Sequence, residues 1–287
     1  MLTVLEIIKK TTEFFSAKGV ENPRLNAELL VGHGLGLKRM QLYLQFERTL
    51  NETELEKIRP LIRRRGQREP LQYIIGETDF FGLKLKTDRR ALIPRPETEY
   101  LVELLVARLT LRPPQRILDL GTGTGALALS LARQFPEAQV TAVDISADAL
   151  TLAQENAALN QLEQRVTWIE SNWFTGLAAE RTFDLVVANP PYLTAGETAE
   201  STPEVKLHEP VSALTAPGHG GTGDLNIIIR EAVPFLEPGG LLALETGIAQ
   251  HPALLEMIRS AGFAQSESVQ DLTGRDRYLF ATLEPAV

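Results

Sequence analysis

The sequence predicts an α/β fold, a doubly wound parallel sheet preceded by a small helical domain. Beyond residue 115, short apolar runs alternate with segments of helical periodicity, the pattern of serial βαβ units. Before residue 78, only helical periodicity is visible. A chain of 287 residues is long enough for two domains. We therefore expect a helical domain over 1–77, a β-hairpin linker over 78–94 and the α/β domain over 95–287.

The N-terminal part is predicted to form a small helical bundle. Thr3 followed by Glu6 makes a capping box, which marks the start of the first helix. Gly19 stands where a C-cap glycine is expected. Further helices are predicted at about 23–33, 38–46 and 52–66.

A hairpin and a proline-stiffened helix start are predicted to join the two parts. The stretch 78–85 alternates apolar and polar residues, and we expect it to pair with 91–93 across a turn at 87–90. The segment 93–99 contains two prolines, so a helix is predicted from about Glu97 to Leu109.

The remaining elements alternate as a parallel sheet requires. Strands are predicted at 116–120, 139–143, 165–170, 183–188, 241–245, 263–270 and 276–282. Helices are predicted at about 126–135, 147–159, 225–236 and 250–261, and Ser146 is the expected N-cap of the second. The polar stretch 193–224 shows little periodicity and is predicted to be a long loop, which is usually functional or disordered.

Composition excludes several classes of function. The chain has no cysteine, so disulfides and thiolate chemistry are excluded, and its four histidines show no metal-ligand spacing. We expect no metal site. Neither a signal peptide nor a membrane-spanning run is visible, so we expect a cytoplasmic protein.

The net charge of −8 is unevenly distributed. Residues 1–90 carry 17 Lys/Arg and 12 Asp/Glu, a formal charge of +5, and the rest of the chain carries −13. An acidic main body argues against direct binding of a long nucleic acid, because that affinity comes mostly from neutralising phosphates. The basic N-terminal part could face an acidic partner, and Arg63, Arg64 and Arg65 form its densest run.

A glycine-rich turn after the first strand predicts a nucleotide-type cofactor. Its residues are Gly121, Thr122, Gly123, Thr124 and Gly125, and Asp144 ends the next strand about twenty residues on. Glycines let the backbone approach a ligand, and a strand-end carboxylate can accept hydrogen bonds from both ribose hydroxyls. These residues alone do not distinguish NAD from S-adenosylmethionine.

The sequence Asn189-Pro190-Pro191-Tyr192 follows the strand at 183–188 and separates the two cofactors. Proline fixes φ and removes the N–H, so the acceptors here are held stiffly. The Asn189 side-chain oxygen and the Pro190 carbonyl can accept the two N–H bonds of a planar NH2 group, on which Tyr192 can stack. This arrangement favours methyl transfer to an amide or aromatic amine over hydride transfer.

Taken together, these motifs resemble one family, the release factor glutamine methyltransferases of the PrmC/HemK type. The resemblance rests on the turn Asp119–Gly125, on Asn189–Tyr192, on the segment Ile93–Glu99 and on Gly274–Arg277. It covers essentially the whole chain. It implies a Rossmann-like S-adenosylmethionine-dependent methyltransferase domain joined by a β-hairpin to a helical substrate-recognition domain.

The resemblance also implies roles for individual residues. Gly121 to Gly125 and Asp144 would bind S-adenosylmethionine, and Trp173 would lie along its adenine. Asn189, Pro190, Pro191 and Tyr192 would hold the substrate glutamine, with Asn189 also near the cofactor, and Asn189, Pro190 and Tyr192 would act in catalysis. The family's substrate is the glutamine of the Gly-Gly-Gln motif in peptide chain release factors. A stretch at 209–214 also matches the family, and the glycine-rich run at 215–225 matches less closely.

Several alternatives remain open at this point. An adenine-amine nucleic-acid methyltransferase uses a similar strand-end motif, and a glutamine methyltransferase acting on a ribosomal protein differs mainly in the recognition domain. A cofactor-binding regulatory module would not need the paired acceptors. An oxidoreductase would require NAD to bind in place of S-adenosylmethionine. Among lesser positions, Arg95 and Glu97 are interpreted as helix-end residues, Glu245 as structural or functional, and Arg275–Arg277 as a salt-bridged turn.

Overall fold

The computed structural model describes residues 2–179 and 182–285. Cα packing divides the chain into two compact units, Met1–Glu77 with Thr202–His208, and Thr78–Ser201 with Glu209–Val287. The predicted domain limits at residues 1 and 287 lie outside the described residues. Among the helices of the described ranges, none combines the length and the apolar character that crossing a bilayer requires.

Twelve α-helices and nine strands, numbered in chain order, occur in the described residues. The helices are α1 Val4–Ala17, α2 Pro23–Leu35, α3 Arg39–Tyr43, α4 Glu52–Gly66, α5 Leu71–Ile75, α6 Pro96–Leu109, α7 Ala126–Gln134, α8 Ala147–Leu159, α9 Ala195–Glu200, α10 Pro203–His208, α11 Gly223–Ala232 and α12 His251–Ser260. The strands are β1 Glu77–Phe80, β2 Leu83–Lys86, β3 Arg116–Leu120, β4 Gln139–Asp144, β5 Val166–Glu170, β6 Phe183–Ala188, β7 Leu236–Glu245, β8 Gln265–Gln270 and β9 Asp276–Thr282.

The first unit is a helical bundle, as predicted. The Thr3 hydroxyl accepts from the Glu6 N–H, and the Glu6 carboxylate accepts from the Thr3 N–H, so the capping box forms. Asn51 caps α4 in the same way. Apolar side chains from one face of each long helix form the core, which is how an amphipathic helix gains most of its stability. The short helix α5 was not predicted.

Two carboxylates in this unit, the buried Glu28 and the partly buried Glu204, are paired with cations. Glu28 is buried in α2 and accepts from Arg24, Arg39 and the Tyr43 hydroxyl. The partners of the second, Glu204 of α10, are arginines of the α4 C-terminal region. Arginines of the same unit therefore balance the charges of both carboxylates.

The arginine run 63–65 does not form one exposed basic surface. Arg63 is exposed, but Arg65 is only 5% exposed. Arg65 donates to Asn26 Oδ1 over 2.7 Å and lies 2.8 Å from a Glu204 carboxylate oxygen. The interpretation of three neighbouring surface charges was therefore wrong for Arg65, because successive helix positions point in different directions.

The hairpin is present, but its predicted pairing was wrong. Both strands lie within the stretch expected to be one strand, since β1 pairs with β2 in a two-stranded sheet. The turn is Phe81-Gly82, and both residues have positive φ, which suits the tight connection of a two-residue hairpin. Residues 91–93 are outside any strand.

The second unit contains a seven-stranded sheet in the order β5-β4-β3-β6-β7-β9-β8. The first five strands are parallel, which confirms the predicted doubly wound sheet. The last two differ from a purely parallel sheet, because β9 runs antiparallel between β7 and β8. Strands β4 and β5 lie on one side of β3, whereas β6 and β7 lie on the other. The strand order therefore reverses at β3, and ligands bind at such a switch point.

Apolar side chains alternate between the two faces of the central strands. On β3, Ile117 packs into the layer beneath α6 and α7, whereas Leu118 packs into the layer beneath α11 and α12. Leu185 and Val186 of β6 divide in the same way. Strands buried on both faces explain the continuous apolar runs in the sequence.

The stretch 193–224, predicted as a loop, contains α9, α10 and two short 3₁₀ turns. Thr194 caps α9 through a capping box with Glu197. Such short helices offer too few turns to show periodicity, so the sequence pattern missed them.

Candidate active site

A cavity of about 510 Å³ opens at the carboxyl ends of β3, β4 and β6, within the second unit. The volume is within the range of small-molecule sites. Its wall includes nine predicted site residues, namely Gly121, Thr122, Gly123, Thr124, Asp144, Trp173, Asn189, Pro190 and Pro191. Gly125 and Tyr192, the other two, are not part of the lining.

The glycine-rich turn brings backbone close to this cavity. Gly121 has φ +69°, and a Cβ there would come within 3.3 Å of the Trp173 ring. A side chain would therefore be strained and would press on the aromatic wall. The turn is fastened by the Thr122 N–H, which donates to the Val143 carbonyl, and by the Asn156 amide, which donates to the Thr124 carbonyl.

Asp144 is tied to the turn and to the helix that follows it. One carboxylate oxygen accepts from the Gly123 N–H over 2.8 Å, and the other accepts from the Ser146 N–H over 2.9 Å. Burial raises the pKa of this carboxyl, and the backbone hydrogen bonds oppose that rise. Each oxygen keeps a second lone pair for a ligand hydroxyl.

Asp119 lies beneath the turn and is fully buried. Its Oδ2 accepts from the Thr122 hydroxyl and the Ala128 N–H, whereas Oδ1 has no hydrogen-bond partner. Burial raises the pKa of this carboxyl to about 7. Asp119 is not part of the cavity lining, although it precedes the lining residue Gly121 by two positions. A buried acceptor without a partner is a feature that a donor group could satisfy.

The indole of Trp173 forms a fixed aromatic wall. The residue adopts φ +50°, which a bulky side chain adopts only when its surroundings impose it. Asp224 lies at the start of α11; burial raises the pKa of its carboxyl, and the nearby Trp173 side chain opposes that rise. Asp224 also lines the cavity, although the sequence pattern did not single it out.

The amide of Asn189 is the start of a chain of hydrogen bonds. Its Nδ2 donates to Thr98 Oγ1 over 2.9 Å, and the Thr98 hydroxyl donates to Glu245 Oε2 over 2.7 Å. Thr98 belongs to α6 and Glu245 ends β7, so three separate elements meet here. Burial raises the pKa of Glu245 to about 7, although the hydrogen bond from Thr98 and the charge of Arg277 oppose the rise.

Tyr192 is anchored on the same carboxylate. Its hydroxyl donates to Glu245 Oε1 over 3.3 Å and accepts from Arg277 Nη1 over 3.4 Å. The Arg277 guanidinium lies 5.8 Å from the centre of the Tyr192 ring. Burial and the nearby Glu245 charge raise the pKa of the Tyr192 phenol. The phenol is therefore a neutral, fixed group at neutral pH.

Two further contacts fasten segments around the cavity mouth. The Glu209 carboxylate is buried and accepts from the Ile93 N–H and from the Arg95 guanidinium. Arg95 is thus an ion-pair partner of Glu209. The Gln250 amide donates to the Tyr192 carbonyl and to the Gly220 carbonyl, joining the glycine-rich run to the strand-end motif.

Sequence reasoning located the cavity but missed part of its support. Thr98 lies inside the segment 93–99, but the sequence pattern assigned no role to its side chain. Its position near a helix start, on the helix face opposite solvent, was the available signal. Arg275 and Arg277 both pair with Asp271, as predicted for a salt-bridged turn, and Arg277 also contacts Tyr192 at the site.

The residues present fit an adenosine-type cofactor better than a metal ion. The cavity offers an aromatic wall and the strand-end carboxylate of Asp144, which suit a planar base and ribose hydroxyls. Within residues 2–179 and 182–285, no cluster of three or more His, Asp or Glu side chains could hold a metal ion.

Comparison with protein families gives two matches along the chain. The model of the PrmC N-terminal domain matches residues 6–76. The model of the methyltransferase small domain matches residues 97–234, which contain the cavity residues from Thr98 to Asp224.

Curated relatives match over nearly the full length. The release factor glutamine methyltransferase of Rhodopirellula baltica is 37% identical over 286 residues, covering 96% of this chain and 95% of that protein. The release factor glutamine methyltransferase of Chlorobaculum tepidum is 41% identical over 285 residues, covering 96% of each.

A solved methyltransferase from Pyrococcus furiosus shares the fold. It superposes with a TM-score of 0.53 at 21% sequence identity, covering 71% of this chain and 90% of that one. At this level of identity the superposition shows that the two chains share a fold.

Proposed function

The chain belongs to the release factor glutamine methyltransferase family, and from this premise we propose that it methylates the side-chain amide nitrogen of a glutamine in peptide chain release factors. The methyl donor we propose is S-adenosylmethionine. The target we propose is the glutamine of the Gly-Gly-Gln loop.

One observation carries the proposal. The Asn189 amide is fixed by Thr98 at the wall of the same cavity that holds the glycine-rich turn and Asp144. An acceptor for a substrate NH2 group thus shares one cavity with the groups that suit an adenosine cofactor. A regulatory binding module would not need that juxtaposition.

For the cofactor, we assign binding to the turn Gly121–Gly125, to Asp144 and to Trp173. The Asp144 carboxylate would accept from the ribose hydroxyls, and the Trp173 indole would lie along the adenine. We add Asp119, whose unpaired Oδ1 suits the cofactor's amino group. When bound, S-adenosylmethionine supplies an electrophilic methyl group on a sulfonium sulfur.

For the substrate, we assign the Asn189 side-chain oxygen and the Pro190 carbonyl as acceptors for the glutamine NH2 group. An amide nitrogen is a weak nucleophile because its lone pair is delocalised. The two acceptors orient this lone pair toward the methyl carbon and favour the positive charge that develops on nitrogen during attack. With S-adenosylmethionine bound, the N–C bond would form as the C–S bond breaks, the electron pair would stay on sulfur, and a proton would leave nitrogen to water.

Alignment is the main contribution that these residues make. Holding two reactants in line can contribute roughly 7–11 kcal/mol to lowering a barrier. Pro190 and Pro191 remove backbone freedom next to Asn189, and Tyr192 is anchored by Glu245 and Arg277. The chain therefore prepares the acceptors before the substrate arrives.

For recognition of the whole release factor, we propose the helical part, residues 1–77. We propose residues 78–94 as the linker and 95–287 as the catalytic domain. The net charge of residues 1–90 is opposite in sign to that of the rest of the chain, which supports a separate role in docking.

The test is direct methylation of a purified release factor. The protein is incubated with isotopically labelled S-adenosylmethionine and release factor, and the modified residue is mapped by mass spectrometry. We expect one added methyl group, on the glutamine of the Gly-Gly-Gln loop.

Two matched controls sharpen this test. A release factor with that glutamine replaced by alanine should take up no label, and the Asn189→Ala enzyme should label the intact factor far more slowly. Label on a different residue, on a ribosomal protein in a mixed reaction or on adenine in RNA would contradict the proposed substrate.

A further inference from the structure

We propose that Thr98 and Glu245 are positioning residues that hold the Asn189 amide in a single orientation, with its oxygen presented to the substrate. The proposal rests on the proposed function for the identity of that substrate. Neither residue needs to touch the substrate, since both act through Asn189.

The direction of the hydrogen bonds sets the orientation. A hydroxyl has one proton, and Thr98 donates it to Glu245 Oε2 over 2.7 Å. Thr98 Oγ1 can then only accept, so the NH2 end of the Asn189 amide must face it, at 2.9 Å. A flipped amide would bring two acceptor oxygens together without a proton between them. Oδ1 is therefore the amide atom left for the substrate.

Glu245 has to be ionised for this logic to hold. An ionised carboxylate can only accept, so it fixes the protons of both Thr98 and Tyr192 toward itself. A protonated Glu245 can instead donate to Thr98 Oγ1, and the Thr98 proton can then turn toward a flipped amide oxygen. Protonation therefore removes the preference between the two amide orientations.

The groups packed around Glu245 adjust its ionisation. The Arg277 charge favours the ionised form, whereas burial and the nearby Glu97 charge disfavour it. Tyr278 of β9 is paired with Glu245 across the two strands, and burial together with the Glu245 charge raises the pKa of its phenol. The balance gives Glu245 a pKa of about 7.

The turn at Gly274–Arg277 gains a function from this arrangement. Arg277 Nη1 donates to the Thr246 carbonyl over 3.0 Å and also to the Tyr192 hydroxyl. This places a positive charge near Glu245, which the sequence motif alone did not explain. The network thus runs from Arg277 through Tyr192, Glu245 and Thr98 to Asn189.

The test compares Thr98→Val, which removes the hydroxyl at nearly constant shape, with Thr98→Ser, which keeps it. The first readout is independent of activity. With ¹⁵N-labelled asparagine, the Asn189 side-chain NH2 signal is assigned from its loss in Asn189→Ala, and its proton exchange with water is measured. We expect slow exchange in the wild type and in Thr98→Ser, and exchange at least about tenfold faster in Thr98→Val.

The second readout is the division of the effect between kcat and KM. We expect Thr98→Val to lower kcat for release factor about 10- to 100-fold, the size of one lost hydrogen bond to a buried group, with KM changed less than about threefold. Thr98→Ser should stay within about threefold of wild type. Equal losses in both variants, or an unchanged kcat and exchange rate in Thr98→Val, would overturn the proposal.

Glu245→Gln gives a second route if Thr98→Val does not fold. In the wild type, ionisation of Glu245 should raise kcat between about pH 6 and pH 8. A glutamine cannot ionise, so this rise should be absent from Glu245→Gln. A retained rise would contradict the role of Glu245. Failure of the wild type to methylate release factor would refute the proposed function alone, because the exchange measurement tests the amide orientation without any substrate.

Discussion

The helical unit and the carboxyl edge of the sheet place their carboxylates in opposite electrostatic surroundings. In the helical unit, Glu204 lies 2.8 Å from an Arg65 guanidinium nitrogen and 2.6 Å from one of Arg68. Burial raises the pKa of Glu204, but hydrogen bonds from both arginines outweigh it and bring the pKa to about 2. The charge is therefore retained at every physiological pH.

At the sheet edge, Glu245 and Asp119 have hydroxyl and backbone N–H groups as their hydrogen-bond partners. Burial raises the pKa of each to about 7. These carboxylates destabilise the folded state when ionised. Perturbed acids of this kind cluster at functional sites, because orientation and charge there serve the reaction more than stability.

The comparison separates two kinds of variant. Changes in the helical unit should alter the free energy of unfolding with little effect on the chemical step. Changes at the sheet edge should alter turnover with little effect on stability. Four predictions test this separation, beginning with the largest effect.

Asn189→Ala should lower kcat about 10²- to 10³-fold, because it removes an acceptor aimed at developing charge. The side chain is partly exposed at the cavity, so the free energy of unfolding should change by less than about 1 kcal/mol. Single-turnover rates and isothermal titration with S-adenosylmethionine provide the measurements. Cofactor affinity should change little. Wild-type single-turnover rates in the variant would refute the role of Asn189.

Arg65→Ala should lower the free energy of unfolding by about 2–4 kcal/mol, because it leaves Asn26 and Glu204 without their buried partner. Arg63→Ala is the matched control, because Arg63 is exposed and lies two residues before Arg65 in the same helix. It should change the free energy of unfolding by less than about 0.5 kcal/mol. Urea unfolding measures both. Similar losses of stability in the two variants would show that the contacts of Arg65 with Asn26 and Glu204 are not the source of the effect.

Asp144→Asn should raise the dissociation constant for S-adenosylmethionine about tenfold, because an amide cannot accept on both of its terminal atoms. At saturating cofactor, kcat should stay within about threefold of wild type. Glu163→Gln, an exposed acid outside the cavity lining, is the control and should leave the affinity unchanged. A loss confined to kcat would argue against a ribose contact.

Raising the pH should increase activity while decreasing one part of stability. As pH rises from about 6 to about 8, Glu245 ionises through its pKa of about 7, and kcat should rise about twofold, because protonated Glu245 leaves both amide orientations populated. The pKa of Glu245 in the folded state lies above its ordinary value of 4.5. Between about pH 4.5 and pH 7 the folded state therefore binds more protons than the unfolded state. Its contribution to stability is therefore lost as pH rises from about 4.5 to about 7.

The measurement for this last prediction is a pair of pH series. Initial rates and urea midpoints are recorded for wild type and Glu245→Gln from about pH 4.5 to about pH 8, which covers both windows. The variant should lose both the rise in rate and the Glu245 part of the fall in stability. If the rate and the urea midpoint change with pH in the same way in both proteins, Glu245 is not the group whose titration causes these changes.

The sequence predicted the order of the main elements because their signals are local. The capping box at Thr3, the apolar run at 183–188 and the Ser146 cap all depend on residues within one turn or one strand. It failed where pairing decided the structure. Residues 91–93 were expected to complete the hairpin, but the strands of that hairpin are adjacent in sequence and turn at Phe81-Gly82.

The sequence by itself determined the glycine-rich turn, the carboxylate at the end of β4 and the proline-stiffened acceptors after β6, because backbone conformation and strand ends are set by nearby residues. Only the tertiary structure decided what holds those acceptors. Thr98 and Glu245 are 147 positions apart, and the order of the strands brings them to 2.7 Å. Burial then sets the pKa of Glu245, since the dielectric surroundings of a carboxylate depend on every element packed around it.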